Sequence, residues 1–146
     1  MQEVIKIFTD GGARGNPGPA GIGVVLGLDE FSGFLGKKTN NQAEYEAVIF
    51  ALKRAQEKGY KNLEINLDSE LVGKQLKGEY KVKNLNMKPL YEKAINLIDT
   101  FESVSFNIIR REKNKEADRL VNEALDRELK IKKTLPRDLT QGKIFG

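Results

Sequence analysis

The chain opens on Val4-Ile5-Lys6-Ile7-Phe8-Thr9, an apolar run of strand-forming residues that ends at Asp10. Residues 11–18 hold four glycines and Pro17, which predicts a turn or loop. From Ala20, the residues Ile22, Val24 and Leu26 alternate with small ones, giving a second strand. Residues 31–38 form a weaker third, loosened by Gly33 and Gly36. Connections this short predict an antiparallel meander. The period then changes. Over residues 41–58, Ala43, Ala47, Phe50, Ala51 and Ala55 share one broad face, and Gly59 follows as a stop, so this segment is a helix. Leu63, Ile65 and Leu67 alternate with Glu64, Asn66 and Asp68, a strand that again ends in Asp. Ser69 caps a short helix to about Leu76, and Pro89 opens another with Leu90, Ala94, Leu97 and Phe101 on its stripe. Val104, Phe106 and Ile108 alternate in a fifth strand. Asn114 is placed to cap a final helix carrying Ala117, Val121, Ala124 and Leu125.

Three meander strands followed by strand–helix crossovers predict an α/β fold: a mixed sheet with helices on its faces, because parallel crossovers are right-handed. The one composition break lies near Arg127, where helical periodicity fades and Pro136 and Gly142 appear. We therefore divide the chain into a domain over residues 1–129 and a basic tail over residues 130–146. A length of 146 residues with 39% hydrophobic content is enough for one core without disulfides. No apolar run approaches the roughly 18 residues of a membrane span, and the start does not resemble a signal peptide, so a cytoplasmic, monomeric protein is expected. Met1 so close to the first strand fits a free-standing chain more than a domain excised from a longer one.

Composition narrows the chemistry. With no Cys and no His, thiolate nucleophiles, zinc–thiolate sites and any imidazole base are excluded. Acid–base or metal chemistry must rest on carboxylates, Lys, Tyr or bound ions. The net charge of +4 lies wholly in the tail, since residues 1–126 hold 19 basic and 19 acidic side chains. A second basic stretch covers residues 74–93. Basic segments on a neutral body fit a polyanionic partner, although solvated faces look the same.

Four carboxylates stand out, each with a structural reading of its own. Asp10 and Asp68 each follow an apolar strand, at the edge where α/β sheets bind ligands. Yet Asp-Gly is also a common turn, and Asp68-Ser69 is also a helix start. Glu44 follows Asn41 by three, the spacing of a capping box. Asp118 lies in the first turn of the last helix, where the macrodipole favours an anion. Convergence of all four would be different. At 4 Å and an effective dielectric of 20, each repelling pair costs about 4 kcal/mol, so such a cluster requires protons or cations. Hard oxygen ligands without His or Cys favour Mg²⁺ or Mn²⁺, and two such ions support phosphoryl displacement. The glycines of residues 11–18 do not form a nucleotide loop, because no G-x-G-x-x-G opens a helix and Pro17 and Pro19 lead into a strand.

Four ordered blocks make the chain resemble type 1 ribonuclease H. These are Phe8-Thr9-Asp10-Gly11-Gly12 with Asn16-Pro17-Gly18, then Thr39-Asn40-Asn41-Gln42-Ala43-Glu44, then Leu67-Asp68-Ser69-Glu70-Leu71-Val72, and Arg111 through Asp118. The resemblance implies a ribonuclease H-like fold, a five-stranded mixed sheet flanked by helices. It implies that Asp10, Glu44, Asp68 and Asp118 bind two Mg²⁺ ions, with Mn²⁺ as a substitute. It implies hydrolysis of the RNA strand of RNA/DNA hybrids, leaving 3′-hydroxyl and 5′-phosphate ends. Gly11, Asn16, Asn40 and Asn41 fall at hybrid-contacting positions, and Thr39 with Lys37 at a phosphate contact on the DNA strand. Amides suit the wide minor groove of such a duplex, and Asn40 or Asn41 is equally suited to capping. Alternatives are a related nuclease that also takes double-stranded RNA or DNA junctions, and a non-catalytic hybrid-binding module.

Three departures from that family are visible. Arg111 stands near where many members carry a His before the last helix; an Arg grips a phosphate but cannot shuttle protons, and a plain surface Arg is the alternative. The basic protrusion of some members is absent, and Lys74, Lys77, Lys81 and Lys83 are candidates to replace its backbone contacts. The tail has three candidate roles: disorder, an edge strand through Lys143-Ile144-Phe145, or substrate holding.

Overall fold

The computed structural model describes residues 3–134. Its elements are β1 (Val4–Ala13), β2 (Gly18–Leu26), β3 (Asp29–Lys38), α1 (Asn40–Glu57), β4 (Asn62–Leu67), α2 (Glu70–Leu76), α3 (Lys88–Ile98), β5 (Ser103–Ile108) and α4 (Lys115–Thr134). The five strands form one sheet in the order β3-β2-β1-β4-β5. β1, β2 and β3 pair antiparallel, while β1–β4 and β4–β5 pair parallel. The mixed five-stranded sheet expected from the sequence is therefore present. No helix among the described residues is long and apolar enough to cross a membrane.

Side-chain alternation divides the sheet between two helical layers. Ile7, Ile22, Val24, Leu26, Leu63, Ile65 and Leu67 point into a core with Tyr45, Val48, Leu52 and Ala55 of α1, closed at one side by Leu76, Met87 and Ala94. Burial of each such Leu, Ile or Val is worth about 1.5–3 kcal/mol. The opposite face is built for close approach. There β2 presents Gly21 and Gly23, and α4 lays Ala117, Leu120, Val121 and Ala124 against them.

Several sequence expectations shift. β1 does not end at Asp10: it runs on through Gly11 and Gly12 to Ala13, with Ala13 paired to Ala20. The glycine content marked a loop, but backbone pairing with β2 holds these residues extended, and only residues 14–17 form the turn. β3 starts at Asp29, two residues earlier than the sequence indicated. α4 runs to Thr134, past both the break at Arg127 and the boundary at residue 129. Residues 135–146, including the proposed edge strand at Lys143-Ile144-Phe145, lie outside the described residues.

Candidate active site

The parallel pairing of β1 with β4 stops at Phe8 opposite Asn66. Beyond it β4 ends at Leu67 while β1 continues, so Asp10 and Asp68 face a gap that opens at the carboxyl ends of parallel strands. Two glycines bring the other acids to the same gap. A Cβ on Gly11 would lie 2.2 Å from the carbonyl of Ala43 and 2.6 Å from the amide of Glu44. A side chain there is impossible, and its absence lets α1 press onto β1 and deliver Glu44 beside Asp10. On the other face, a Cβ on Gly23 would lie 2.0 Å from the Ala117 carbonyl. Gly23 is the β2 partner of Asp10 in the antiparallel register, so this contact sets the first turn of α4, with Asp118, next to Asp10.

Carboxylate oxygens of Asp10, Glu44 and Asp68 lie within 4.8 Å of one another. Asp118 lines the same cleft of ≈ 290 Å³, together with Gly11, Gly12, Arg14, Asn40, Arg111 and Asn122. The four acids that looked ordinary one at a time are thus neighbours.

Glu44 has no capping role. The cap of α1 is Thr39, whose Oγ1 accepts from the Gln42 amide at 3.1 Å while the Gln42 side chain accepts from the Thr39 amide at 2.9 Å. The box spacing is real, but it begins two residues earlier than Asn41, which leaves Glu44 to the cleft.

The electrostatics are those of a site made for cations. Burial pushes the Asp10 carboxyl up to about 7; its hydrogen bond with Glu44 opposes this, and the charges of Asp68 and Asp118 add to the rise. Burial, then the charge of Asp10, raises Glu44 well above the ordinary carboxyl range, with the Gly11 amide pulling the other way. Glu44 Oε2 is buried with no hydrogen-bond partner among the described residues. An acceptor stripped of water and left without a donor suits a hard divalent cation, and so do three all-oxygen ligands at this separation.

The remaining candidates divide. Gly11, Asn40 and Arg111 line the cleft. Asn16, Thr39, Asn41 and Lys37 do not: Asn16 lies in the Arg14–Pro17 turn, Thr39 and Asn41 at the start of α1, and Lys37 near the end of β3. Asn16 Oδ1 accepts from the Asn40 amide at 3.0 Å, and Asn40 Oδ1 accepts from the Ala13 amide at 2.8 Å. These bonds lock the turn onto α1 through both carbonyl oxygens. Lys37 is exposed near the end of β3, by a hollow shared with Arg14, Pro17 and Phe34.

Two residues have roles that the sequence reading did not assign: Asn114, read there as a helix cap, and Arg14. Asn114 precedes α4 and its carbonyl accepts from the Asp118 amide, but its side chain does not cap the helix. It turns inward, where Nδ2 donates to the Thr9 carbonyl at 2.9 Å and to Asp68 Oδ2 at 3.3 Å. The amide fills in for the strand partner that Thr9 loses when β4 ends, and ties Asp68 to β1. The second is Arg14, whose only sequence signal was a place in a glycine-rich turn.

Residues 8–124 match the family model described as reverse transcriptase-like. The chain is 39% identical over 128 residues to Ribonuclease HI of Halobacterium salinarum, covering 84% of this chain and 64% of that protein. It is 39% identical over 129 residues to a bifunctional protein of Mycobacterium tuberculosis, covering 84% of this chain and 35% of that one. The chain thus spans less than two thirds of these curated relatives. Among solved structures, RNase H1 from Halobacterium salinarum NRC-1 superposes with a TM-score of 0.82 at 39% identity, over 85% of this chain and 98% of that one. LC11-RNase H1, solved in complex with an RNA/DNA hybrid, gives a TM-score of 0.82 at 46% identity, over 86% of this chain and 99% of that one.

Proposed function

Because this chain belongs to the type 1 ribonuclease H family, we propose that it is a metal-dependent endoribonuclease that hydrolyses the RNA strand of RNA/DNA hybrids, leaving 3′-hydroxyl and 5′-phosphate ends. The observation that carries this reading is the convergence of Asp10, Glu44 and Asp68 within 4.8 Å, with Asp118 on the same cleft wall.

The four carboxylates would hold two Mg²⁺ ions, or Mn²⁺ in their place. Bound there, the ions lower the pKa of an attacking water and neutralise charge on the scissile phosphate. The chain's own residues do the rest. Asp10 and Glu44, buried on β1 and α1, set the floor of the site and would offer it their carboxylate oxygens as ligands. Asn114 keeps Asp68 aimed into the cleft. Arg111 is exposed on the cleft wall, always charged, and grips a phosphate rather than moving protons.

The amide carbonyls of Asn16 and Asn40 are taken by backbone donors, so their NH₂ groups are what they offer a duplex. Neutral donors of this kind, with Asn41 beside them and Gly11 on the cleft wall, suit 2′-hydroxyls and base edges in a wide minor groove. Thr39 Oγ1 accepts from Gln42 but keeps its own proton, which a DNA-strand phosphate can accept, with Lys37 beside it. Support for the hybrid as substrate comes from LC11-RNase H1, which was solved in complex with one.

The test is a substrate panel: hybrids labelled on either strand, beside double-stranded RNA and double-stranded DNA, each with Mg²⁺. Cutting confined to the RNA strand of the hybrid is expected. Equal cutting of double-stranded RNA would widen the substrate class, and binding without any cutting would make the chain a hybrid-binding module.

A further inference from the structure

Arg14 stands where three hollows meet. It lines the carboxylate cleft, the apolar groove with Phe34, Leu125 and Leu129, and the hollow beside Lys37. Its guanidinium is moored to α4: Nη2 donates to Asn122 Oδ1 at 3.2 Å and pairs with Asp126 Oδ1 at 2.8 Å. Asn122 Nδ2 in turn donates to the Asp118 carbonyl at 3.1 Å. Asn122 and Asp126 follow Asp118 by one and two helical turns, each about 5.4 Å along the axis. A single turn is comparable to the step between successive phosphates of a nucleic-acid strand. Arg111, just before α4, lines the same cleft, so two guanidiniums border the carboxylates.

Both moorings use Nη2, which leaves Nε and Nη1 as donors without a partner among the described residues. The ion pair is exposed, with Asp126 68% accessible, so re-aiming the guanidinium costs little. A planar, permanently charged fork at that point matches a phosphate diester.

We propose that Arg14 holds the phosphate next to the scissile one on the RNA strand and so sets the register in which that strand crosses the carboxylates. This rests on the hybrid-nuclease reading above and adds a substrate contact to it. Asp126 is then a mooring that keeps the side chain extended over the cleft between turnovers.

The test compares wild type, Arg14→Ala and Asp126→Ala on an end-labelled hybrid with Mg²⁺. It uses the plain hybrid and a series bearing one neutral methylphosphonate at successive RNA positions. For wild type, one methylphosphonate beside the cleavage point should raise KM about tenfold. Arg14→Ala should show that rise on the plain hybrid with kcat within about threefold, lower the salt slope by about one, and be blind to that methylphosphonate. Asp126→Ala should keep both the wild-type KM and the methylphosphonate penalty. If Arg14→Ala still senses the same methylphosphonate, the contact is not its own and the proposal fails. It also fails if Asp126→Ala reproduces the Arg14→Ala loss, since Arg14 would then be only a staple between turn and helix. A wild type that cuts no hybrid overturns the underlying reading, and this inference with it. A cutting wild type beside an indifferent Arg14→Ala overturns this inference alone.

Discussion

Gly23 stands opposite Asp10 in the β1–β2 register, and the space of its missing side chain is occupied by the Ala117 carbonyl of α4. The pairing couples the strand that carries Asp10 to the helix that carries Asp118. Gly23→Ala would place a Cβ 2.0 Å from that oxygen and 2.8 Å from Leu120 Cβ, neither of which is the end of a flexible chain. Overpacking of this kind typically costs about 1–3 kcal/mol, or more where backbone must move. A fall in Tm of roughly 10 °C, with activity nearly lost, is expected. Gly33→Ala is the control, meeting only the Ile22 side chain at 3.4 Å, and should change Tm little.

The acid cluster makes a prediction about pH. Asp10 shifts from 3.8 to about 7 on folding, so between those values the native state binds the extra proton. Stability in EDTA should therefore fall as pH rises through that window, because the unfolded chain binds fewer protons there. Asp10→Asn removes the charge and should melt higher than wild type at pH 8 in EDTA, by roughly 5 °C. Mg²⁺ should close the gap by stabilising wild type alone. Calorimetry across pH 4–8 decides it; a wild type that gains stability with rising pH in EDTA contradicts this account.

Asn114 should prove a positioning residue. Asn114→Ala leaves the Thr9 carbonyl without its donor in a buried place and frees Asp68 to turn, a loss of about 1–3 kcal/mol. Steady-state kinetics should show a lower kcat with nearly unchanged KM, and added Mn²⁺ should recover part of it by binding the loosened ligand. An unchanged kcat would show that Asp68 needs no such support.

What the sequence made legible was whatever repeats with a period. The apolar alternation in Leu63–Leu67 and the broad face of α1 put each element in its place, and the two Asp residues that follow apolar runs, Asp10 and Asp68, stood out with them. Glu44 was ambiguous for a physical reason: residues Asn41 and Glu44 have capping spacing, and only the actual cap at Thr39 shows it is not used. The run Asp10-Gly11-Gly12-Ala13 read as a turn because glycine composition carries no information about the β2 partner that holds it straight. Asn114 and Arg14 act through contacts 105 and 108 residues away along the chain, which no local pattern encodes. α4 outlasts its apolar stripe, running to Thr134, because backbone hydrogen bonds need no apolar face to continue a helix.

The loop between α2 and α3 should contribute charge rather than structure. Lys74 is already engaged, paired with Glu70 at 3.1 Å and lying over the Tyr80 ring, and Lys77 pairs with Glu79 at 3.3 Å. Lys81 and Lys83 are the exposed pair facing outward from the loop. Lys81→Glu with Lys83→Glu should weaken hybrid binding and flatten the dependence of log Kd on log salt by about two, with Tm unchanged. Wild-type affinity at low salt in this variant would remove the loop from the binding surface.

Under the proposed function, the Asp10, Glu44, Asp68 and Asp118 cluster should cut RNA only with divalent cations in place. The most direct measurement follows a hybrid labelled on its RNA strand with wild type and Asp10→Asn, in Mg²⁺ and in EDTA. Cutting by wild type in Mg²⁺, absent in EDTA and reduced at least a thousandfold (about 4 kcal/mol) in the variant, is the expected result. Cutting that survives EDTA, or that Asp10→Asn retains in full, would contradict it.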